Sequence, residues 1–304
     1  MSSETVDRIE FANDPFEDRD NAAKASAGEG PPAYTPEEIA KINAESAAVI
    51  ASTTVAQQPS LELPTNTYVT LPAGLIIDGV TYTEAQVREL NGDDEEALAK
   101  AALSGDSFRY VKVLLDRGVV SVGPVPASPT VLRDLLIGDR EVLIMSVRQA
   151  TFGDDVIIDP YFCPNCGDEL VATIQLSTVP IKALESEREF DVPLRKGGTA
   201  RVRLPDGHVQ EATLSNGNIT AAEQNTILLS KCVLSITDSN GKAEFISGST
   251  SKVNALGISD RRTILKEFGE RQPGPRYDEV KMRHEACDTE VGVPLTVVEM
   301  FRGL

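Results

Sequence analysis

Two stretches of this chain, far apart in sequence, carry one pattern. Tyr161-Phe162-Cys163-Pro164-Asn165-Cys166-Gly167-Asp168-Glu169-Leu170 lies over Met282-Arg283-His284-Glu285-Ala286-Cys287-Asp288-Thr289-Glu290-Val291 at a single constant offset. Cys163 then matches His284, Cys166 matches Cys287, Glu169 matches Glu290, and Ala172, two residues beyond Leu170, matches Val293. One offset held over that length predicts two equivalent hairpins. A two-residue spacer lets a tight turn aim both of its ligand side chains at one tetrahedral ion, at about 2.3 Å for sulfur and about 2.0 to 2.1 Å for imidazole nitrogen. Gly167 follows the second ligand of the first turn, where positive φ is commonly needed, and Asp288 holds that place in the second, a residue type that tolerates it. Cys163, Cys166, His284 and Cys287 are therefore the candidate ligands of one structural zinc ion. Four protein ligands close the coordination sphere and leave no position for substrate or reactive water.

Other readings of the same residues stay open at this level. Cys163 and Cys166 could form a redox C-x-x-C, although no thioredoxin-like βαβ pattern surrounds them. They could be buried thiols with His284 an ordinary surface histidine, or the fourth ligand could be Cys232 in place of His284. Cys232 lies among Ile227, Leu228, Val233 and Leu234, which reads first as a buried structural thiol.

Charge narrows the function classes. A net charge of −18 over 304 residues, with a pI near 4.6, repels phosphate backbones and counts against nucleic-acid binding. Arg195, Lys196, Arg201 and Arg203 read as the solvated face of a hairpin. Four cysteines, two of them in one turn, suit metal ligation in a reducing compartment better than a disulfide framework. Met1 to Asp20 is acidic with no apolar centre, and no apolar run reaches the length of a membrane span, so a soluble protein is expected, with no membrane partner.

The pattern predicts an α+β protein in three parts. Residues 1–66 form an acidic arm, disordered or ordered by a partner, because they hold too little apolar bulk to offset chain entropy. Within the arm, Thr35-Pro36-Glu37-Glu38 is a capping box, with Ile39, Ile42, Val49 and Ile50 on one helical face that either docks on the chain's own domain or anchors a partner subunit, and Phe11 and Phe16 as small anchors of the same kind. Residues 67–153 form a hairpin turning at Asp78-Gly79 and then a small helical subdomain: a helix opening at Asp93, one carrying Phe108, Val111, Leu114 and Leu115, one carrying Val131, Leu132, Leu135 and Leu136, and one from Asp139 to about Gly153. Residues 154–304 form a zinc-ribbon-like β module with half sites near 161–176 and 277–295 and an inserted α/β segment at 177–276. The insertion is expected to hold a hairpin from Phe190 to Leu214 with turns at Gly197-Gly198 and Asp206-Gly207, a helix from Ala221 to Cys232, and a helix from Ser259 that ends before Gly269. A short helix from Thr296 to Phe301 closes the chain.

Catalytic patterns are missing. Two histidines leave little for a nucleophile triad, and His208, beside a turn, reads as exposed. Neither a P-loop nor a dinucleotide-binding glycine pattern is present. The carboxylate runs Asp93-Asp94-Glu95-Glu96 and Asp154-Asp155 read as solvated charge or helix-start residues. The expectation is a protein that is not an enzyme.

Several motifs in their order resemble one family. They are Leu71-Pro72-Ala73-Gly74 to Tyr82, Ile137-Gly138-Asp139-Arg140 through Ser146-Val147-Arg148-Gln149-Ala150, Phe152-Gly153, the Cys163 to Gly167 turn, and Val293-Pro294-Leu295 to Phe301. From about residue 67 to the end the chain resembles the baseplate hub proteins and hub-assembly chaperones of T-even-like contractile-tailed bacteriophages. The resemblance implies a structural or assembly protein working through contacts with other phage tail or baseplate subunits, as an oligomer within the assembly, in the host cytoplasm during assembly and in the virion tail baseplate. His284 stands where a cysteine is expected, and the arm has no counterpart. The rival readings are a zinc-ribbon accessory factor that binds nucleic acid or the transcription machinery, and a metal-dependent hydrolase that uses the ribbon ion.

Overall fold

The computed structural model describes residues 35–41, 44, 66–105, 107–214, 219–293 and 295–301. The chain divides into two compact units, Met1–Glu62 and Leu63–Leu304. In the first, the capping box forms: Thr35 donates through its backbone N–H to Glu38 Oε2 at 2.8 Å, and the Glu38 N–H returns to Thr35 Oγ1 at 3.4 Å. Ile39 is exposed on the turn that follows. Phe11, Phe16, Ile42, Val49 and Ile50 lie outside the described residues.

The second unit opens with β1 (Asn66–Ile77) and β2 (Val80–Arg88), joined through Asp78-Gly79. Both turn residues have positive φ, the geometry whose twist suits a two-residue hairpin. Asn91 then caps α1 (Gly92–Ala102) in a capping box with Asp94. The helix α2 (Ser107–Gly118) leads into β3 (Val119–Val122) and β4 (Val125–Pro126), which complete an antiparallel sheet in the order β1-β2-β3-β4. These two strands were not expected from the pattern. Ser128 caps α3 (Pro129–Asp134), which stops before two of its four expected apolar residues. Leu135 is extended instead, because its carbonyl accepts the Gly207 N–H at 3.0 Å and Leu136 bridges to Asp206. The central helix α4 (Ile137–Phe152) is buried on nearly every side from Gly138 to Arg148. It ends at Gly153 and feeds the hairpin of β5 (Asp155–Phe162) and β6 (Glu169–Gln175).

The chain then leaves this core through β7 (Ile181–Lys182). β8 (Glu189–Pro193) and β9 (Thr199–Arg203) form the hairpin expected around Gly197-Gly198, but it does not continue to Leu214. Gly207–Leu214 is a helix, α5. Asp206 Oδ1 accepts the Val209 N–H at 3.0 Å, so the Asp-Gly pair read as a turn is a helix start. After α6 (Ala221–Cys232), β10 (Val233–Thr237) and β11 (Ala243–Phe245) complete a second antiparallel sheet in the order β11-β10-β9-β8. α7 (Thr250–Asn254) and α8 (Ile258–Arg271) follow. α8 runs through Gly269 to Arg271, since that glycine meets no close neighbour and Arg271 pairs with Glu267 at 2.8 Å. β12 (Gly274–Pro275) returns to pair with β7, so the excursion begins and ends on one antiparallel ladder. The final hairpin, β13 (Lys281–His284) and β14 (Thr289–Gly292), precedes α9 (Val297–Met300), capped by Thr296.

Two hydrophobic clusters organise these elements. The first gathers Leu71, Leu114, Leu143, Val156, Ala172 and Val293 from the opening sheet, the helices and both outer hairpins. The second gathers Phe190, Val202, Leu229, Cys232, Ile264 and Phe268 from the excursion. They meet at the start of α4. There the Ala73 and Gly74 N–H groups donate to the buried Asp139 carboxylate at 2.8 and 3.2 Å. Gly138 lies so close to the Pro273 carbonyl that a Cβ would collide with it. Burial raises the Asp139 carboxyl to about 6.

Candidate metal centre

The two outer hairpins have the same register. Tyr161 faces Leu170 and Phe162 faces Glu169 in one, while Met282 faces Val291 and Arg283 faces Glu290 in the other. Both turns carry a left-handed residue at the same place, Gly167 with φ 79° and Asp288 with φ 52°. The first turn is closed by the Gly167 N–H donating to the Cys163 carbonyl at 2.8 Å and the Cys163 N–H donating to the Asp168 carbonyl at 2.9 Å. Side chains also join the hairpins. The Tyr161 hydroxyl donates to the Gly292 carbonyl at 2.6 Å, and Asn165 Nδ2 donates to Thr289 Oγ1 at 3.1 Å. Neither link was anticipated from the sequence, because both depend on how the hairpins face each other.

Their tips converge. The Sγ atoms of Cys163, Cys166 and Cys287 and a ring nitrogen of His284 all lie within 4.8 Å of one another. Cys163 Sγ is 3.8 Å from Cys287 Sγ, and His284 Nδ1 is 3.4 Å from Cys166 Sγ and 3.3 Å from Cys287 Sγ. A zinc tetrahedron has edges of about 3.8 Å between sulfurs and about 3.6 Å between sulfur and nitrogen, given the usual bond lengths. The donor set and its spacing fit such an ion. A disulfide needs sulfurs about 2.05 Å apart, and all four cysteines are free. Cys232 is fully buried in the second cluster, where loss of solvent pushes its thiol up to about 12.

The electrostatics of the four groups are mutually strained. The backbone N–H of Cys166 lowers the Cys163 thiol, and side-chain hydrogen bonding from Asn165 and Thr289 draws Cys287 down to about 6. His284 is raised, chiefly by its contact with Cys287. At Cys166 the Asp168 N–H favours the thiolate, yet loss of solvent and the nearby Cys163 and Asp168 push it up to about 11. Thiolates this close repel one another unless positive charge sits among them, which a bound cation would supply.

The remaining candidates serve structure. His208 lies on α5, exposed, with Nε2 3.0 Å from Asp134. Arg201 pairs with Glu189 and Asp191, and Arg203 donates to the Lys231 carbonyl. Among the described residues, no helix is long and apolar enough to cross a membrane.

A family model described as the T4 bacteriophage base plate protein matches residues 80–302. The chain belongs to that family. The matched span of this base plate protein takes in both half sites and every motif of the resemblance except Leu71-Pro72-Ala73-Gly74, which precedes it. Membership points to a structural or assembly role among phage tail components. No curated protein and no solved structure matches the chain.

Proposed function

We propose that this base plate protein is a hub component or hub-assembly chaperone of the phage tail, and that Cys163, Cys166, His284 and Cys287 hold one structural zinc ion. The family match carries the role, and the convergence of the four donor atoms carries the metal. When bound, the ion contributes folding energy and crosslinks two hairpins that are only two strands each, too few to be stable alone. Four protein ligands leave no open position, so the site acts by fixing a platform on which neighbouring subunits bind.

In this reading residues 67–153 and 154–304 form that platform, with 177–276 as an inserted module. Residues 1–66 are an arm that recruits a partner subunit. Deleting residues 1–60 then leaves Leu63–Leu304 folded but abolishes recruitment, and equal binding by the truncated chain refutes the arm's role. Quantitative mass spectrometry of purified tails, beside capture of the chain from infected cells, tests the whole. Fixed stoichiometry in tails makes it a hub component, and absence from tails with hub proteins in the capture makes it a chaperone. Finding neither overturns the proposal.

A further inference from the structure

The first metal hairpin carries an apolar face that the fold leaves uncovered. Ile157, Phe162 and Val171 are 59 %, 58 % and 54 % exposed. Strand pairing puts them on one side. Val156, Ile158, Ala172 and Ile174 point into the first cluster, and the irregularity between Ile158 and Tyr161 keeps the alternation in phase past Pro160. Among the described residues β5 and β6 form a sheet of two strands alone, and the exposure of this face shows that little packs over it. Isolated exposed apolar residues need no explanation, but three clustered on one small sheet mark a contact surface.

The charge around them identifies what fits. From Gly153 to Ile181 the sequence contains Asp154, Asp155, Asp159, Asp168 and Glu169 and not one lysine or arginine. Glu169 faces Phe162 across the strands, and Asp155 lies at the other end on the same exposed side. The equivalent residues of the second hairpin show that packing does not demand this composition, since Phe162 and Val171 correspond to Arg283 and Gly292. A second copy of this chain would bring acid against acid, and so would its acidic residues 1–66. Like charges brought together in an interface oppose binding.

We propose that the outward face of β5 and β6 docks a segment of another protein that presents aliphatic or aromatic side chains flanked by lysine or arginine. This rests on the platform role proposed above and names the surface and the chemistry of its partner. Apolar contacts at Phe162 and Val171 supply the buried centre, and the surrounding carboxylates select for cations.

The test uses the full chain in phage-producing cells, with a photo-crosslinking residue at Val171 and, as control, at Leu103, which is 88 % exposed elsewhere. Crosslinked peptides are sequenced, and the chain is quantified separately in purified tails. The expected product joins Val171 to a cationic, apolar segment of a tail subunit. Its yield should fall about tenfold in the Asp155→Lys, Glu169→Lys double variant, with the thermal midpoint unchanged. The same crosslink to a cationic segment of a non-tail protein, with the chain absent from tails, supports the docking face while refuting the base plate reading. Crosslinks to residues 1–66, to a second copy, to a segment without cations, or at the Leu103 level overturn the docking face. Recovery of the chain in tails would then leave its base plate role standing.

Discussion

The two metal hairpins are alike on one side and different on the other. Their inner positions pair as Tyr161 with Met282, Leu170 with Val291 and Ala172 with Val293, all apolar and all at least half-buried. Their outer positions pair as Phe162 with Arg283 and Val171 with Gly292. The inner face packs on the first cluster and the turns bring the four donor atoms together, so the repeat survives there. The outer face answers to no internal contact. Its divergence separates what the fold requires from what binding requires, and it assigns contact to the first hairpin and solvent to the second, where Arg283 is occupied with Asp288 at 2.7 Å.

Removing the proposed shared ion tests the likeness most severely. Structural zinc in small domains is bound with apparent free energies of about 10 to 16 kcal/mol, so chelation should loosen both hairpins together while the α4 core persists. Hydrogen exchange should show protection lost at 161–170 and 282–291 alike, and loss in one hairpin alone would break the equivalence. Packing comes next. Val291 is 2 % exposed, and Val291→Ala should cost about 1 to 3 kcal/mol by denaturant titration. Glu290→Ala on the exposed side of the same strand should stay within about 0.5 kcal/mol.

The turns give a smaller effect of opposite sign. A Cβ at Gly167 meets nothing within 4 Å, so Gly167→Ala should lose only the backbone term, about 1 kcal/mol. Asp288→Gly relieves the same strain in the second turn while giving up an exposed ion pair with Arg283, and should be neutral to slightly stabilising, by up to about 1 kcal/mol. Equal losses in both variants would deny that the turns share one geometry. The smallest expected stability effect belongs to the outer face. Phe162→Arg, which copies Arg283 of the second hairpin onto the first, should move the thermal midpoint little, because the Phe162 side chain is already more than half exposed.

What the sequence disclosed followed from local chemistry. The convergence of Cys163, Cys166, His284 and Cys287 was legible because metal ligation needs particular side chains at a fixed spacing, and the Ala221–Cys232 helix formed with the bounds expected of it. Asp206-Gly207 misled because aspartate serves turns and helix starts equally, and only the Val209 N–H decides between them. Leu135 and Leu136 continued a helical period, but pairing with Pro205 to Gly207 pulled them straight. The strand Val119–Val122 was too short to stand out beside the helix before it. The contact of Ala73 and Gly74 with Asp139 joins residues that sequence separation hides, although both lie in motifs already singled out. In the exposed trio Ile157, Phe162 and Val171, strict alternation would place Ile157 and Phe162 on opposite faces, and only the irregularity between Ile158 and Tyr161 in the pairing register brings them to one side.

The central claim is that each hairpin supplies half of one closed site. Titration of the reduced, metal-free chain with cobalt(II) tests it directly. The account predicts saturation at one ion per chain with the intense absorption of a tetrahedral thiolate site, lost alike in Cys166→Ser and Cys287→Ser. Saturation at two ions, a pale octahedral spectrum, or a signal unchanged in either variant would contradict it.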